Sequence, residues 1–133
     1  MSTVAWEIAE PYCRAPNVVF VASTRPDGAP HVVPIWADTD AGLVRINTTE
    51  GTQKLRNLRA DPRVALGVHV SSDPYLAFSI WGRVVDETTG PEATAHIDAL
   101  SQAYDGAPWD FGEGERERRV LLRIRPERVV AMT

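Results

Sequence analysis

The sequence from Asn47 to Leu58 reads NTTEGTQKLRNL and joins a strand-like run to a short helix-like run. The β-like residues 43–48 lead into it, and Gly51 marks the end of a loop. Thr52 is then placed to cap a helix whose two leucines, three positions apart, share one face. A strand, a short loop and the N-terminus of a helix are therefore predicted in direct succession.

Lys54 lies in the first turn of this predicted helix and is the only lysine of the chain. The first N–H groups of a helix lack intrahelical partners and the helix dipole is positive there, so this end stabilises a phosphate or carboxylate. A compact ammonium suits a point contact to phosphate. The hydroxyls of Thr48 and Thr52 and the amide of Asn57 complete the predicted anion site. The plainer alternative is that Thr52 caps a surface helix and Lys54 is solvated, as most lysines are.

The chain has 133 residues, and we predict a single domain over residues 1–133. Its net charge of −4 argues against general binding to nucleic acid or anionic membrane, because such binding needs a basic surface. The basic cluster of Arg116, Arg118 and Arg119 alternates with Glu113, Glu115 and Glu117, which is typical of a solvated helical or loop face whose charges pair with one another. The single cysteine, Cys13, excludes an intrachain disulfide, and no apolar run suits a membrane span or signal peptide. We therefore expect a cytoplasmic protein without nucleic-acid or membrane partners.

Six runs rich in β-branched or alternating apolar residues are separated by turn signals. One run contains Pro34, which cannot donate a ladder hydrogen bond, so this position belongs at a sheet edge, a bulge or an opening. The longest run, 75–87, is expected to bend at Gly82, and the last run, 120–132, to break at Pro126.

Two principal helices are predicted, one after Gly51 and one from Pro91 to about Tyr104, together with a short amphipathic stretch over residues 2–12. Consecutive hairpins with some runs apolar on both faces, as over residues 18–21, indicate a barrel whose wall is buried again by a partner. The predicted fold is therefore mainly β, a six-stranded antiparallel barrel with flanking helices in a homodimer.

The sequence contains no evident nucleophile constellation, metal-ligand spacing or carboxylate pair. Because no neighbouring acid orients His31, His69 or His96, a structural or solvated role is predicted for each. Trp109 and Phe111 lie on a Gly- and Pro-containing loop, where they either fill a gap or line a pocket. An enzyme without such groups can rely on a cofactor for the reaction chemistry, while the protein supplies the shape of the site and the orientation of the reactants.

Seven short segments occur in an order and spacing that resemble a known family: Arg25–Gly28, Pro30–Trp36, Asn47–Thr48, Gln53–Leu58, Asp61–Val64, Gly82–Val84 and Arg119–Leu122. The chain resembles the split β-barrel flavin-binding superfamily that includes pyridoxamine 5'-phosphate oxidase, and within it the branch that binds the deazaflavin coenzyme F420. The resemblance extends over nearly the whole chain. It implies a split β-barrel fold and a homodimer with the cofactor in a cleft between subunits, where Trp109 or Phe111 could reach the partner's site.

The resemblance also implies a role for particular residues. The ring of the cofactor would be lined, largely through backbone groups, by Val32, Val33, Pro34, Ile35 and Trp36. The phosphate-bearing tail would be held by Asn47, Thr48, Gln53 and Lys54, with Asn57 supporting the helix start. Related sequences often carry a second cation two positions before the lysine, where this chain has Thr52, so the tail site carries less charge here.

The expected activity is hydride transfer between coenzyme F420 and a small conjugated organic substrate, with no residue acting as an acid or base. Two alternatives stay open at this point. The same fold can use FMN, whose single terminal phosphate also suits the predicted anion site. A non-catalytic carrier could bind a coenzyme or haem without turnover.

Overall fold

The computed structural model of the protein describes residues 1–132, and its main feature is one antiparallel sheet of eight strands. The strands are β1 (Ser2–Val4), β2 (Val19–Thr24), β3 (Pro30–Ile35), β4 (Ala37–Asp40), β5 (Leu43–Thr49), β6 (Arg63–His69), β7 (Ala77–Thr88) and β8 (Arg119–Ala131). The helices are α1 (Trp6–Ala9), α2 (Gln53–Ala60) and α3 (Pro91–Asp105), with 3-10 turns at Glu10–Tyr12 and Arg116–Arg118. The predicted mainly β, antiparallel architecture with flanking helices is confirmed.

The sheet curls until its two edge strands meet. Its strands follow the order β3-β2-β6-β7-β8-β5-β4, and β1 pairs with β8 outside this path. The two ends of the path, β3 and β4, are separated in the chain only by Trp36. This closure at a seam is the geometry of a split barrel. Pro34 lies on the edge strand β3, one of the positions predicted for it.

The inward faces of the strands form the core. In β6 the predicted alternation is confirmed, because Val64, Leu66 and Val68 are buried while Gly67 between them lies on the other face. The largest fully buried side chains come from β2, β5, β6, β7, β8 and the two longer helices. Burying each such aliphatic side chain stabilises the fold by about 1.5–3 kcal/mol. Among residues 1–132 no helix is long and apolar enough to cross a membrane.

The opposite side of β2, β3, β6 and β7 carries exposed apolar residues. Phe20 is 46% exposed and pairs across the strands with Pro34 and Gly67. Val32 and Trp81 lie on the same side and are 61% and 44% exposed. We term this surface, made of Phe20, Val32, Pro34, Gly67 and Trp81, the outer apolar face. Surfaces of this kind mark interaction sites.

The predicted count of six strands is wrong, because two short strands lie where other structure was expected. Residues 2–12 were predicted as an amphipathic helical stretch, but they form β1, one turn of α1 and a 3-10 turn. Pro11 lacks an N–H and prevents the helix from continuing, and Ile8 is 55% exposed instead of packing inward. Residues 38–42 were among the turn signals expected to separate the strands, but β4 takes up Ala37–Asp40 because the turn itself is shorter, with positive φ at both Ala41 and Gly42.

β8 runs through Pro126 without the predicted break. The register with β7 shifts at this point, since Trp81 pairs with Arg128 and the next residue, Gly82, pairs with Pro126. The irregularity predicted at Gly82 is therefore present as a bulge. A side chain at Gly82 would have no room, because a Cβ there would lie 2.5 Å from the carbonyl oxygen of Arg125.

Candidate functional site

A cavity of about 400 Å³ lies beside the seam of the barrel, between the ends of β3 and β5, helix α3 and the loop before β8. Its lining is mainly apolar and aromatic: Val18, Pro34, Ile35, Trp36, Asn47, Ile97, Leu100, Trp109 and Arg119. Trp36 and Trp109 meet edge to face, with ring centroids 6.0 Å apart. We term it the tryptophan cavity. Its volume is in the range of pockets that hold small ligands.

Trp36 is fixed where the two sheet edges meet. Its ring stacks on Tyr104 of α3, with centroids 5.4 Å apart and planes within 11° of parallel. The hydroxyl of Tyr104 donates to the carbonyl of Asn17 at 2.5 Å and accepts from the N–H of Ala37 at 3.2 Å. The first residue of β4 and the loop before β2 are thus tied to α3, and one wall of the cavity is held in place.

Arg119 forms the polar end of the tryptophan cavity and is only 9% exposed. Its Nε and Nη2 donate to Glu115 at 2.8 and 2.7 Å, and its Nη1 donates to Oδ1 of Asn47 at 3.3 Å. Burial raises the pKa of Glu115, but hydrogen bonds from Gly112, Trp109 and Arg119 outweigh burial. The pKa of Glu115 therefore falls to about 2, and its carboxylate is charged at neutral pH.

Behind Arg119, a buried hydrogen-bond chain passes through Asn47 and His96. Nδ2 of Asn47 donates to the carbonyl of Ala93 at 3.0 Å and lies 3.1 Å from Nδ1 of His96, while Nε2 of His96 lies 3.0 Å from Asp38. Because Nδ2 of Asn47 can only donate, Nδ1 of His96 accepts and Nε2 carries the proton. Burial raises the pKa of Asp38, but hydrogen bonds from His96 and Arg45 outweigh it and lower that pKa overall.

The predicted anion site at the start of α2 is formed by interlocked side chains. Oγ1 of Thr52 accepts from the backbone N–H three residues later at 3.3 Å, which confirms the predicted N-cap, and lies 2.9 Å from Oγ1 of Thr48. Gln53 donates to Oδ1 of Asn57 at 2.7 Å, and Asn57 donates to the hydroxyl of Ser23 at 3.1 Å. These contacts hold α2 against β2 and the end of β5.

Lys54 is 9% exposed, so the alternative of a solvated lysine does not hold. Burial lowers the pKa of Lys54 to about 8, and the positive charge of Arg119 contributes to this shift. Arg119 pairs across the strands with Thr49, at the start of the loop that leads to α2. Within residues 1–132 no carboxylate lies at ion-pair distance from the Lys54 ammonium. A buried cation without a counterion is costly and is suited to an anionic ligand.

The residues predicted to line the cofactor ring lie in three different environments: the tryptophan cavity, the core and the outer apolar face. Ile35 and Trp36 line the tryptophan cavity together with Asn47, and so does Pro34, which is also part of the outer apolar face. Val33 packs against the core, and Val32 belongs to the outer apolar face. The other predicted tail residues, Thr48, Thr52, Gln53 and Lys54, gather at the start of α2 outside the cavity lining, with Asn57 one turn further along. Their roles in holding a cofactor stay predictions.

Sequence reasoning missed the two residues that organise the polar end of the cavity. Arg119 was predicted to be solvated and paired with a glutamate of its own cluster. The pairing is confirmed by Glu115, but the solvation is wrong, because Arg119 opens a strand whose next three residues are fully buried. His96 is 3% exposed, and the sequence did carry a signal for this. Positions 93, 96, 97 and 100 follow the i, i+3, i+4, i+7 pattern of a buried helix face. Asp38, 58 residues away, could not be paired with it from sequence.

The chain belongs to the pyridoxamine 5'-phosphate oxidase family, whose sequence model matches residues 7–133. A solved structure described as an F420 reductase is 30% identical, with a TM-score of 0.80 over 91% of this chain and 94% of that chain. A FAD-binding protein from Mesorhizobium loti is 24% identical, with a TM-score of 0.67 over 98% and 95%. A conserved hypothetical protein from Mycobacterium tuberculosis is 22% identical, with a TM-score of 0.72 over 96% and 84%. The latter two show the fold alone, and no curated protein matches the sequence.

Proposed function

We propose that the protein is an oxidoreductase that transfers a hydride between coenzyme F420 and a small conjugated organic substrate. Family membership and the similarity to a structure described as an F420 reductase support a flavin- or deazaflavin-dependent activity. The single observation that carries the proposal is the largely buried side chain of Lys54 at the N-terminus of α2, whose ammonium has no carboxylate partner among residues 1–132. Such a site suits the acidic tail of a coenzyme.

The residues present fit such a cofactor at two places. We assign the acidic tail to the start of α2, with Lys54 as its anchor and the backbone N–H groups of the first turn as donors. We assign the ring to the backbone of residues 32–36, because β3 is an edge strand and one side of its backbone is free of a ladder partner. The tryptophan cavity then lies beside the ring and receives the substrate.

When bound, the coenzyme supplies the hydride chemistry, and the chain supplies binding, orientation and a dry environment. The apolar and aromatic lining around Trp36 and Trp109 disfavours water and suits a flat molecule. Holding two reactants at contact distance accounts for a large part of a rate enhancement without an acid or base. No residue is therefore assigned an acid-base role.

We also propose that the protein is a homodimer. The outer apolar face exposes several large apolar side chains to solvent, which is typical of a surface that contacts another subunit. This face includes Val32, one of the residues assigned to the cofactor ring. A partner subunit covering this face would bury Phe20 and Trp81 and bring the cofactor into a cleft between subunits.

The proposal is tested by titrating oxidised F420 and FMN onto the wild type, Lys54→Met and Arg25→Met. Methionine keeps the buried stem of Lys54 and removes its charge, and Arg25 is an exposed cation that serves as the matched control. We expect F420 to bind the wild type and the Arg25 variant equally, and Lys54→Met at least about tenfold more weakly, as for loss of one charged hydrogen bond. Equal affinity of all three proteins would remove Lys54 from the site.

FMN is the second candidate, because a site with one lysine also suits a single terminal phosphate. A yellow purified protein whose flavin absorbance survives dialysis would favour it over F420. His96, the histidine behind the cavity, is not free to bind a haem iron, since both of its ring nitrogens are engaged by Asn47 and Asp38. His69 is exposed and contacts the carbonyl of Pro74.

A further inference from the structure

We infer that Arg119 selects ligands of the tryptophan cavity by binding an uncharged carbonyl oxygen, and that the chain from Asp38 through His96 to Asn47 holds Arg119 in position for this. The inference rests on the proposed function, because that function assigns the cavity to the substrate. It adds the group on the substrate that is recognised and the residues that recognise it.

The donors of Arg119 can be counted. A guanidinium has five N–H groups. The Nε donor and one Nη2 donor point to Glu115, and one Nη1 donor points to Asn47. Two N–H groups are left, one on each terminal nitrogen, without a partner in the part of the chain that the structure describes. Because Arg119 lines the cavity, we assign these two donors to a ligand bound there.

The charge of Arg119 decides which acceptor suits these donors. Glu115 is ionised and lies 2.7 Å from the guanidinium, so this pair has no net charge, and the uncompensated ammonium of Lys54 is not part of the cavity lining. A carboxylate entering the cavity would lose its hydration and also meet the negative charge of Glu115. A ketone, lactone or quinone oxygen needs only donors. The site therefore favours a flat, neutral carbonyl compound over its carboxylate analogue.

Asn47 keeps Arg119 in place only if its amide is correctly oriented. Its Nδ2 is held by the carbonyl of Ala93 and by Nδ1 of His96, which leaves Oδ1 facing Arg119. The tautomer of His96 is set in turn by Asp38, at 3.0 Å from Nε2. His96 is not among the residues that line the cavity and is hydrogen-bonded to the lining residue Asn47, so it is a positioning residue.

Three naphthalenes of similar shape test the selectivity in the absence of any coenzyme: 2-acetylnaphthalene, 2-naphthoate and 2-ethylnaphthalene. Binding is followed by NMR through the indole N–H of Trp109 and the Nε–H of Arg119. We expect the ketone to bind at least about tenfold more tightly than the ethyl compound, as for a hydrogen bond to a charged group. We expect the carboxylate to bind more weakly than the ketone. A ketone equal to the ethyl compound, or a carboxylate that binds best, would overturn the inference.

Arg119→Lys tests the donor count. Lysine has three donors, which is the number that Glu115 and Asn47 already engage, so the preference for the ketone over the ethyl compound should disappear. Arg125→Lys, an exposed position on the same strand, should leave the preference unchanged. A lysine variant that retains the full preference, with its signals dispersed as in the wild type, would overturn the role of Arg119.

Two substitutions separate a positioning role of His96 from a structural one. His96→Asn places an acceptor near the position of Nδ1 and keeps the contact to Asn47, whereas His96→Gln places a donor near Nε2 and keeps only the contact to Asp38. We expect the asparagine variant to keep the ketone preference and the glutamine variant to lose most of it, with His69→Gln as the neutral control. If the glutamine variant kept the ketone preference and the asparagine variant lost it, or if the two variants did not differ, the positioning role of His96 would be overturned. Because the probes bind without coenzyme, F420 titration can succeed or fail independently of this result.

Discussion

Lys54 and Arg119 are both buried, with 9% of each residue exposed, and the positive charge of Arg119 contributes to the lowered pKa of Lys54. Of these two, and within residues 1–132, Arg119 has a carboxylate partner, Glu115, whereas Lys54 has none. The start of α2 is therefore a place where the ligand-free chain carries an uncompensated cation. An anion bound there would compensate the Lys54 ammonium for its lost hydration and for the absence of a carboxylate partner. The protonation of Lys54 therefore affects both the stability of the fold and the affinity for an anionic ligand, and both should depend on pH.

The first prediction concerns stability against pH. Burial and Arg119 lower the pKa of Lys54 from 10.5 to about 8 in the folded chain. Between these values the unfolded state binds more protons than the folded state, so the free energy of unfolding rises with pH across this window. We expect the wild type to gain roughly 1–3 kcal/mol relative to Lys54→Met between pH 7.5 and 10.

Urea unfolding of both proteins at four pH values measures this difference. Subtraction of the variant's curve removes contributions common to both proteins, including that of Cys13, whose pKa is raised to about 12 by burial and by Glu10. At pH 7 the variant should be the more stable of the two, because it lacks the buried charge. Parallel curves for wild type and variant would show that Lys54 titrates normally.

The second prediction concerns the bulge between β7 and β8. Gly82→Ala would place a Cβ 2.5 Å from the carbonyl oxygen of Arg125, and the backbone must shift to accept it. We expect a loss of about 1–3 kcal/mol in the free energy of unfolding, as for other overpacked sites. Gly67→Ala is the matched control within a strand, because its Cβ would meet Phe20 at an ordinary 3.8 Å. Similar urea midpoints for the two variants would mean that the backbone at the bulge shifts to accept the Cβ at little cost in stability.

The sequence was sufficient where structure depends on neighbouring residues. Thr52 caps α2 because its own side chain reaches an N–H three residues away, and the alternation of β6 follows from the period of a strand. Pro34 was correctly restricted to positions such as an edge because it lacks an N–H. The family could also be recognised from the order of short motifs.

The sequence was insufficient where distant segments meet. The pairs His96 with Asp38 and Arg119 with Asn47 are 58 and 72 residues apart, and no local pattern connects them. The short strand β4 exists because residues opposite it on β5 supply its hydrogen bonds, not because of its own composition. The residues that organise the cavity therefore could not be identified from the sequence, although the fold class could be predicted.

The third prediction concerns the proposed homodimer. Phe20→Glu places a charge at the centre of the outer apolar face, where a partner subunit would have to desolvate it. We expect the wild type to have the mass of a dimer in light scattering after size exclusion, and the variant that of a monomer. Ile8→Glu, at an exposed apolar residue on α1, should leave the dimer intact. A wild type that is monomeric at micromolar concentration would contradict the proposed assembly.

The fourth prediction links the pKa of Lys54 to the coenzyme. An anion beside Lys54 favours the charged ammonium and raises its pKa from about 8, so near pH 8.5 binding should be accompanied by proton uptake. Calorimetric titration with F420 in two buffers of different ionisation heat measures the number of protons. The expected uptake is a substantial fraction of one proton for the wild type and none for Lys54→Met.

The same titration at pH 6.5 provides the internal control, because Lys54 is already protonated in both states there and the buffers should agree. Arg25→Met should behave as the wild type at both pH values, since its exposed charge lies in the turn between β2 and β3. If F420 binds with identical heats in the two buffers at pH 8.5, the acidic tail does not rest beside Lys54. Proton uptake that persists in Lys54→Met would assign the titrating group elsewhere in the chain or to the coenzyme itself.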